Sequence, residues 1–142
     1  MYDEKIPLLP KKEVVEQQAF IRFDMDESYY ALDIHAVNEI VEIPVITPYP
    51  TVIPGHIGIV NLSGQILPII DFTQTTNRLP SQPDDLLLVV HFVNWHPFGL
   101  MIKHPRRVQV PQKLLVSTTV NIDGMPVRIL EQHDFSFMEC HA

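Results

Sequence analysis

The sequence predicts a mainly β fold, a barrel or sandwich built from many short strands within one domain. Several segments alternate apolar and polar side chains with a period of two, which is typical of strands that have one solvated face. The 142 residues include 13 prolines, and only one short stretch has helical spacing. Alternating βαβ units would need a long helix after each strand, so these observations favour an all-β architecture.

The domain is expected to follow a polar leader of residues 1–18 and to span residues 19–138. Within the leader, residues 13–18 could form one helical turn. The first predicted hairpin covers residues 21–34, because apolar side chains alternate with polar ones along both of its arms. It turns at residues 24–28, where acidic and small polar side chains cluster.

A short amphipathic helix is predicted over residues 35–43. Its apolar residues have the i, i+3, i+4 spacing of one helix face and are Val37, Ile40 and Val41. Asp33 is a candidate N-cap for this helix, and Pro44 ends it because proline has no N–H donor. The proline-rich residues 44–54 are predicted to form an extended connector rather than a central strand.

Three strand pairs are predicted after the connector. Residues 58–62 and 65–72 form a hairpin around Ser63-Gly64, because glycine tolerates positive φ. The other two pairs are residues 86–93 with 98–103, turning at 94–97, and residues 114–122 with 125–130, joined by Asp123-Gly124. A short helix is predicted over residues 71–78, and Pro126 predicts that its strand lies at a sheet edge.

Charge and composition argue against several functional classes. The formal net charge of −7 argues against binding nucleic acid, which needs clustered Lys and Arg. The basic cluster at residues 103–107 is predicted to be a solvated turn. The apolar run at residues 86–90 is far below the ~20 residues that span a bilayer, so no direct membrane insertion is expected. The single Cys140 cannot form an internal disulfide, which is consistent with a reducing cytoplasm.

No recognisable catalytic spacing occurs, neither GxSxG nor a glycine-rich phosphate loop, HExxH or CxxC, so no catalytic residue, metal or cofactor is predicted. His91 and His96 have no third ligand nearby in sequence, which favours ordinary packed or solvated histidines over a metal pair. His133, Cys140 and His141 could gather a metal, but a frayed terminal segment is the favoured interpretation.

Carboxylates at two places in the sequence are also candidate sites. Asp24, Asp26 and Glu27 crowd a turn but lack the twelve-residue calcium-loop pattern, so a solvated turn is favoured. Asp71 follows an apolar strand and could be catalytic, but a cap for the next helix is the favoured role.

Residues 20–72 resemble the CheW family, the coupling proteins that link chemoreceptors to the histidine kinase CheA. The run Tyr30-Ala31-Leu32-Asp33-Ile34-His35-Ala36-Val37-Asn38-Glu39-Ile40 is similar to that family's second strand and first helix. The run Gly58-Ile59-Val60-Asn61-Leu62-Ser63-Gly64-Gln65-Ile66-Leu67-Pro68-Ile69-Ile70-Asp71 is similar to its most recognisable element. Residues 98–102 and 121–130 resemble the later family strands more loosely.

The resemblance implies two five-stranded β-barrels packed about a shared apolar core, with no catalytic centre and no cofactor. It implies an adaptor with two partners, a CheA-type histidine kinase and the cytoplasmic tip of a chemoreceptor, and hence a cytoplasmic location. By the same resemblance the partner-binding surface is bordered by Val37, Glu39, Gly58, Asn61, Ser63 and Gly64. The competing interpretation is structural: Val37 would be a core residue, and the two glycines would serve the backbone only.

The chain departs from the family pattern at two places. The family usually has Arg where this chain has Ser63, and a hydroxyl cannot replace the bidentate or stacked contacts of a guanidinium. Residues 108–114 look shortened, and residues 103–105 replace a family Asp. Two alternatives therefore stay open: a CheW-like barrel recruited to a different regulatory complex, such as one for pilus motility, or a small β-barrel enzyme or metal protein that uses His91 and His96.

Overall fold

The computed structural model describes residues 16–48, 55–72 and 85–139. Within these ranges the chain forms β-strands and short 3₁₀ helices. The strands are β1 (Gln17–Met25), β2 (Ser28–Asp33), β3 (Val37–Glu42), β4 (Thr47–Pro48), β5 (His56–Leu62), β6 (Gln65–Ile70), β7 (Leu86–Val90), β8 (Phe98–Pro111), β9 (Thr119–Ile122) and β10 (Met125–Leu130). The 3₁₀ helices are Ile34–Ala36, Gln112–Leu114 and Gln132–Glu139.

Strand β8 is 14 residues long and belongs to two groups of strands. Its residues 103–111 pair with β1, and the ladder continues through β2 and β10 to β9, which makes the first lobe. Its residues 98–102 pair with β7, and two of them also pair with β6, which makes the second lobe together with β3, β4 and β5. The prediction of a mainly β fold is confirmed, and each of the two predicted barrels corresponds to one lobe.

Each lobe is an incomplete barrel. In the second lobe β3 pairs with β7 and β4 pairs with β5, while residues 43–46 between them belong to no ladder. Residues 37–48 therefore act as one kinked strand that nearly completes a five-stranded ring. In the described part of the first lobe, the strand order ends at β9 without a ladder from β9 back to β8.

The described residues form three apolar clusters, one inside each lobe and one between them. Val120 and Val127 belong to the cluster of the first lobe, and Val60 and Leu67 belong to that of the second. The shared cluster takes residues from both lobes and includes Phe135, which is fully buried and lies at a non-helical kink within Gln132–Glu139. Its ring centroid lies 5.1 Å from those of Phe72 and Phe98 and 5.8 Å from that of Phe92. Aromatic packing of this kind fixes how the lobes sit against each other.

The prediction of a helix over residues 35–43 is wrong. Asp33 does cap a helix, since its Oδ1 accepts the His35 N–H at 2.8 Å, but that helix is the single 3₁₀ turn Ile34–Ala36. The chain then becomes β3, with a register shift between Val37 and Glu39. Ile40 packs against the shared cluster and Val41 against the second-lobe cluster. In a strand that has a bulge and apolar contacts on both faces, the apolar residues can show the same spacing as one helix face. Val and Ile also favour strands over helices.

The predicted solvated turn at residues 103–107 is also wrong, because these residues continue β8. The ladder is shifted there: Asp24 pairs with Lys103 and Arg22 with Arg106, so β8 carries one extra residue. His104 adopts the left-handed conformation at φ 53° inside this bulge. A bulge also accommodates Pro105, which has no N–H for the ladder.

Pro126 does not mark an edge strand, since β10 lies between β2 and β9. The pairing of β10 with β2 begins only at Arg128, so Pro126 lies where β10 has its antiparallel neighbour on one side alone. The strand predicted over 114–122 is shorter than expected and begins at Thr119, after a 3₁₀ turn. The helix predicted over residues 71–78 lies outside the described residues except for residues 71 and 72.

Candidate docking surfaces

The turn between β5 and β6 is built by two left-handed residues and one side-chain cap. Ser63 has φ 53° and Gly64 has φ 89°, the combination of a tight two-residue hairpin loop. The side-chain oxygen of Asn61 accepts the Gly64 N–H at 2.9 Å. All three residues are exposed, so this turn presents them to solvent in a fixed geometry.

Gly58 is buried, and the space beside its Cα is already filled. A Cβ placed there would lie 2.5 Å from the carbonyl oxygen of Thr47 and 2.9 Å from Cγ2 of Ile46. These atoms belong to β4 and to the residue before it, so the glycine lets β4 approach β5. The contacts give Gly58 a packing role, and its part in partner binding stays a prediction.

Val37 and Glu39 lie on β3, in the same lobe as the turn. Val37 is half-buried, packs against the shared cluster and pairs with Val90. Glu39 is exposed and pairs with Val89. The strands of this lobe pair in the order β3-β7-β8-β6-β5, so the predicted residues lie on the two end strands, β3 and β5, and in the turn after β5. Residues 37–48 connect these two ends, because they begin as β3 and then pair with β5 as β4.

The outward face of the β5–β6 hairpin adds an apolar surface that the sequence analysis did not single out. Ile66 lies opposite Asn61 and is 57% exposed, and Pro68 lies opposite Ile59. Leu67 and Ile69 between them are buried, so the period of two places Ile66 and Pro68 outward. The sequence signal that could have identified this surface is the apolar Ile66, at a position that the strand alternation directs toward solvent. We call Ile59, Asn61, Ser63, Gly64, Ile66 and Pro68 the hairpin patch.

A groove of about 700 Å³ opens between the two lobes. Its apolar walls come from β1, β2, β10 and the loops after β7 and β8, and include Phe20, Leu32, Phe92, Val93, Leu115, Val116, Ile129 and Leu130. Val93 is 79% exposed and Val116 is 86% exposed, so both rims present apolar side chains to solvent. We call this feature the lobe groove.

Polar groups line one end of the lobe groove around Asp33. The carboxylate of Asp33 accepts a hydrogen bond from Nε2 of Gln18 at 2.6 Å and lies 2.9 Å from Nδ1 of His35. His91 lines the same region, and its backbone N–H donates to the Ala36 carbonyl at 2.9 Å. No sequence pattern pointed to this groove, because its walls meet only when the two lobes pack together.

Two of the turn carboxylates, Asp24 and Asp123, have protein partners. Asp24 lies 2.9 Å from Nδ1 of His104 and 3.4 Å from a guanidinium nitrogen of Arg22. Asp123 pairs with Arg106; the hydrogen bond from this guanidinium and then its charge lower the pKa of Asp123 below the ordinary 3.8. Within residues 16–48, 55–72 and 85–139, no three His, Cys, Asp or Glu side chains converge as a metal site would require.

The structure places the histidines considered as metal ligands at exposed positions where it describes them. His91 and His96 are both exposed. His133 lies 3.5 Å from Oε1 of Glu131, while Cys140 and His141 fall outside the described residues. Of the helices in the described part of the chain, none is long and apolar enough to cross a membrane.

Comparisons with known proteins agree with this architecture. A scaffolding protein from Thermoanaerobacter tengcongensis, TtCheW, has the same fold, with a TM-score of 0.73, 22% identity and coverage of 89% of this chain and 95% of that one. The chemotaxis protein CheV3 of Helicobacter pylori is 26% identical over 85 residues, which are 58% of this chain but only 27% of that longer protein. Residues 19–131 match the family model of the CheW-like domain. This match spans well over half of the sequence, and the chain therefore belongs to the CheW-like domain family, the non-enzymatic scaffolds of chemotaxis signalling.

Proposed function

We propose that this chain couples a chemoreceptor to a CheA-type histidine kinase by binding both through separate surfaces. The observation that carries the proposal is the presence of two exposed apolar surfaces on one packed fold, the lobe groove and the hairpin patch. Exposed apolar surface of this kind typically marks a site of protein association. The proposal places the chain in the cytoplasm, at receptor arrays.

The lobe groove suits the receptor. A receptor tip is a helical hairpin, and an amphipathic helix binds by laying its apolar side chains into a groove. The groove offers buried Phe20 and Phe92 as its floor and exposed Val93 and Val116 as its rims. Apolar anchors that become desolvated in such a groove supply most of the binding free energy of an interface.

The hairpin patch suits the kinase. It is the outward face of a hairpin, with Ile66 as its most exposed apolar side chain and Asn61 opposite it as a hydrogen-bonding group. The backbone beneath is held by the Asn61–Gly64 bond, so binding requires little ordering of the turn. Three of the six residues predicted from the family resemblance, Asn61, Ser63 and Gly64, belong to this patch. Gly58 is buried against β4, and Val37 and Glu39 lie on β3, which pairs with β7.

Two single substitutions separate the surfaces. Val116→Asp puts a charge on the groove rim, and Ile66→Asp puts one on the hairpin patch. We expect Val116→Asp to weaken binding to a purified receptor tip about tenfold, equivalent to about 1.4 kcal/mol, and to leave kinase binding unchanged. Ile66→Asp should have the opposite pattern.

Met125→Asp is the matched control, because Met125 is 41% exposed and lies outside both surfaces. Titration calorimetry with the receptor tip and with the kinase gives both affinities for each variant. If the wild-type chain binds neither partner, or if each variant weakens both equally, the two-surface proposal fails.

Ser63 favours one alternative function, recruitment to a different regulatory complex. The family's Arg at this position could form bidentate contacts from the exposed turn, and Ser63 cannot. Ser63→Arg distinguishes the two functions. Stronger binding to kinase or receptor supports standard coupling, whereas unchanged, undetectable binding to both supports a different complex.

A further inference from the structure

The described part of the chain begins beside the lobe groove. The described chain begins at Glu16, whose carbonyl accepts the Gln112 N–H at 2.9 Å. Three residues after Gln112, the loop of residues 115–118 forms one wall of the groove, and Gln18 lines it from β1. Glu16, to which the preceding segment is joined, therefore lies near one wall of the groove.

The sequence of this segment matches the chemistry of the groove. Residues 6–10 read Ile-Pro-Leu-Leu-Pro, with the two prolines three positions apart. Proline-rich segments of this spacing bind aromatic-lined grooves, since the fixed φ of proline reduces the conformational entropy lost on binding. Phe20 and Phe92 supply aromatic rings in the groove, and Val93 and Val116 supply its exposed apolar rims.

Charge favours the same placement. Lys11 and Lys12 follow the apolar run directly. The groove is lined by the carboxylates of Asp33, which is 39% exposed, and Glu131, which is 65% exposed. Opposite charges at the rim of a contact steer association and fix its register.

The chain between the two parts is long enough. Pro10 precedes Glu16 by six residues, a distance of up to about 20 Å for an extended chain at ~3.3 Å per residue. A tethered segment also has a high effective concentration at a nearby site, so even a weak contact is populated.

We propose that residues 6–12 bind in the lobe groove of their own chain and compete there with external ligands. The inference does not depend on which partner the groove accepts. A leader that fills the groove half of the time raises the apparent Kd of any groove ligand about twofold.

Paramagnetic relaxation in the full-length chain tests the proposal. Cys140→Ser removes the single native thiol, and Glu4→Cys then carries a nitroxide label. We expect strong broadening of the amide signals of Val93 and Val116, and little broadening at Gly64 in the β5–β6 turn. Adding Leu8→Ser and Leu9→Ser should abolish the broadening at the groove.

Val14→Ser with Val15→Ser is the matched control, because it also replaces two apolar leader residues but leaves residues 6–12 intact; the broadening should persist. If this control also loses the broadening, the contact depends on residues outside 6–12 and the proposal is overturned. Equal broadening at the groove and at Gly64 would overturn it as well. A mixture of ¹⁵N-labelled chain without nitroxide and nitroxide-labelled chain without ¹⁵N reports only contacts between copies. Broadening at the groove in this mixture would identify a second copy as the occupant and refute the intramolecular contact.

The outcome is independent of the proposed coupling function. Groove broadening without any receptor or kinase binding would support the leader contact and reject the coupling function. Receptor binding without groove broadening would support the coupling function and reject the leader contact. When both hold, the Leu8→Ser, Leu9→Ser chain should bind the receptor tip about twofold more tightly than the parent.

Discussion

Substituting Gly58 by alanine separates a packing role from a partner contact. The new Cβ would lie 2.5 Å from the Thr47 carbonyl oxygen, and an ordinary contact begins at 3.4 Å, so that carbonyl must move by about 0.9 Å. Overpacking of this kind costs about 1–3 kcal/mol. If β4 detaches instead, one or two ladder hydrogen bonds are lost at about 0.5–1.5 kcal/mol each, which gives a similar range. We therefore expect Gly58→Ala to lower the free energy of unfolding by about 1–3 kcal/mol.

Urea unfolding measures this loss, and amide exchange locates it. The exchange protection of Thr47 and Ile59, which pair across β4 and β5, should fall in Gly58→Ala. Gly64→Ala is the control: its left-handed φ of 89° makes alanine costly, but no atom lies within 4 Å of the new Cβ, so β4 should stay protected. A Gly58→Ala chain of unchanged stability and intact β4 that no longer binds its partners would refute the packing argument and make Gly58 a contact residue.

Three further predictions follow from the contacts. Phe135→Ala should lower the free energy of unfolding by about 3–5 kcal/mol in urea, because Phe135 is fully buried; a loss below about 1 kcal/mol would mean that the shared core does not depend on it. Asn61→Ala should cost about 0.5–1.5 kcal/mol by removing the acceptor of the Gly64 N–H, and Asn61→Asp should retain most of it. Since Arg106 lowers the pKa of Asp123, the stabilising effect of this pair is present above pH 3.8 and is lost as the pH falls through the lowered pKa. NMR titration of the Asp123 carboxyl should show its pKa returning toward 3.8 in Arg106→Gln, and an unchanged titration would exclude the ion pair in solution.

The hairpins could be predicted from the sequence because their signals are local. Alternation gave β1 and β2, and Ser63-Gly64 and Asp123-Gly124 gave the two tight turns, both of which have the positive φ values expected. Turn chemistry and side-chain period are properties of neighbouring residues, so no knowledge of the tertiary fold is needed.

The errors arose where tertiary contacts decide the local structure. Ile40 and Val41 both contact apolar clusters, one on each face of β3, and a strand that contacts two cores loses its alternation. Likewise, His104 and Pro105 are typical of a turn, but the pairing of β8 with β1 continues past them because they form a bulge in β8. The lobe groove could not be predicted at all, since Val93 and Val116 are 23 positions apart in sequence and share a site only through the packing of the lobes.

Strand β8 determines what kind of adaptor this fold can be. The strand runs without interruption from the pairing with β7 in the second lobe to the pairing with β1 in the first, and its side chains Phe98 and Leu100 belong to the shared cluster. Closely packed cores have few low-energy rearrangements, so the lobes cannot shift against each other without disrupting the Phe135 contacts. The lobe groove is therefore preformed, and a ligand there gains affinity from preorganisation rather than from an induced closure. For the same reason, under the proposed function a groove ligand would act on binding at the hairpin patch only by holding the two partners close together. The packed core between the two surfaces offers no second arrangement to which binding could switch it.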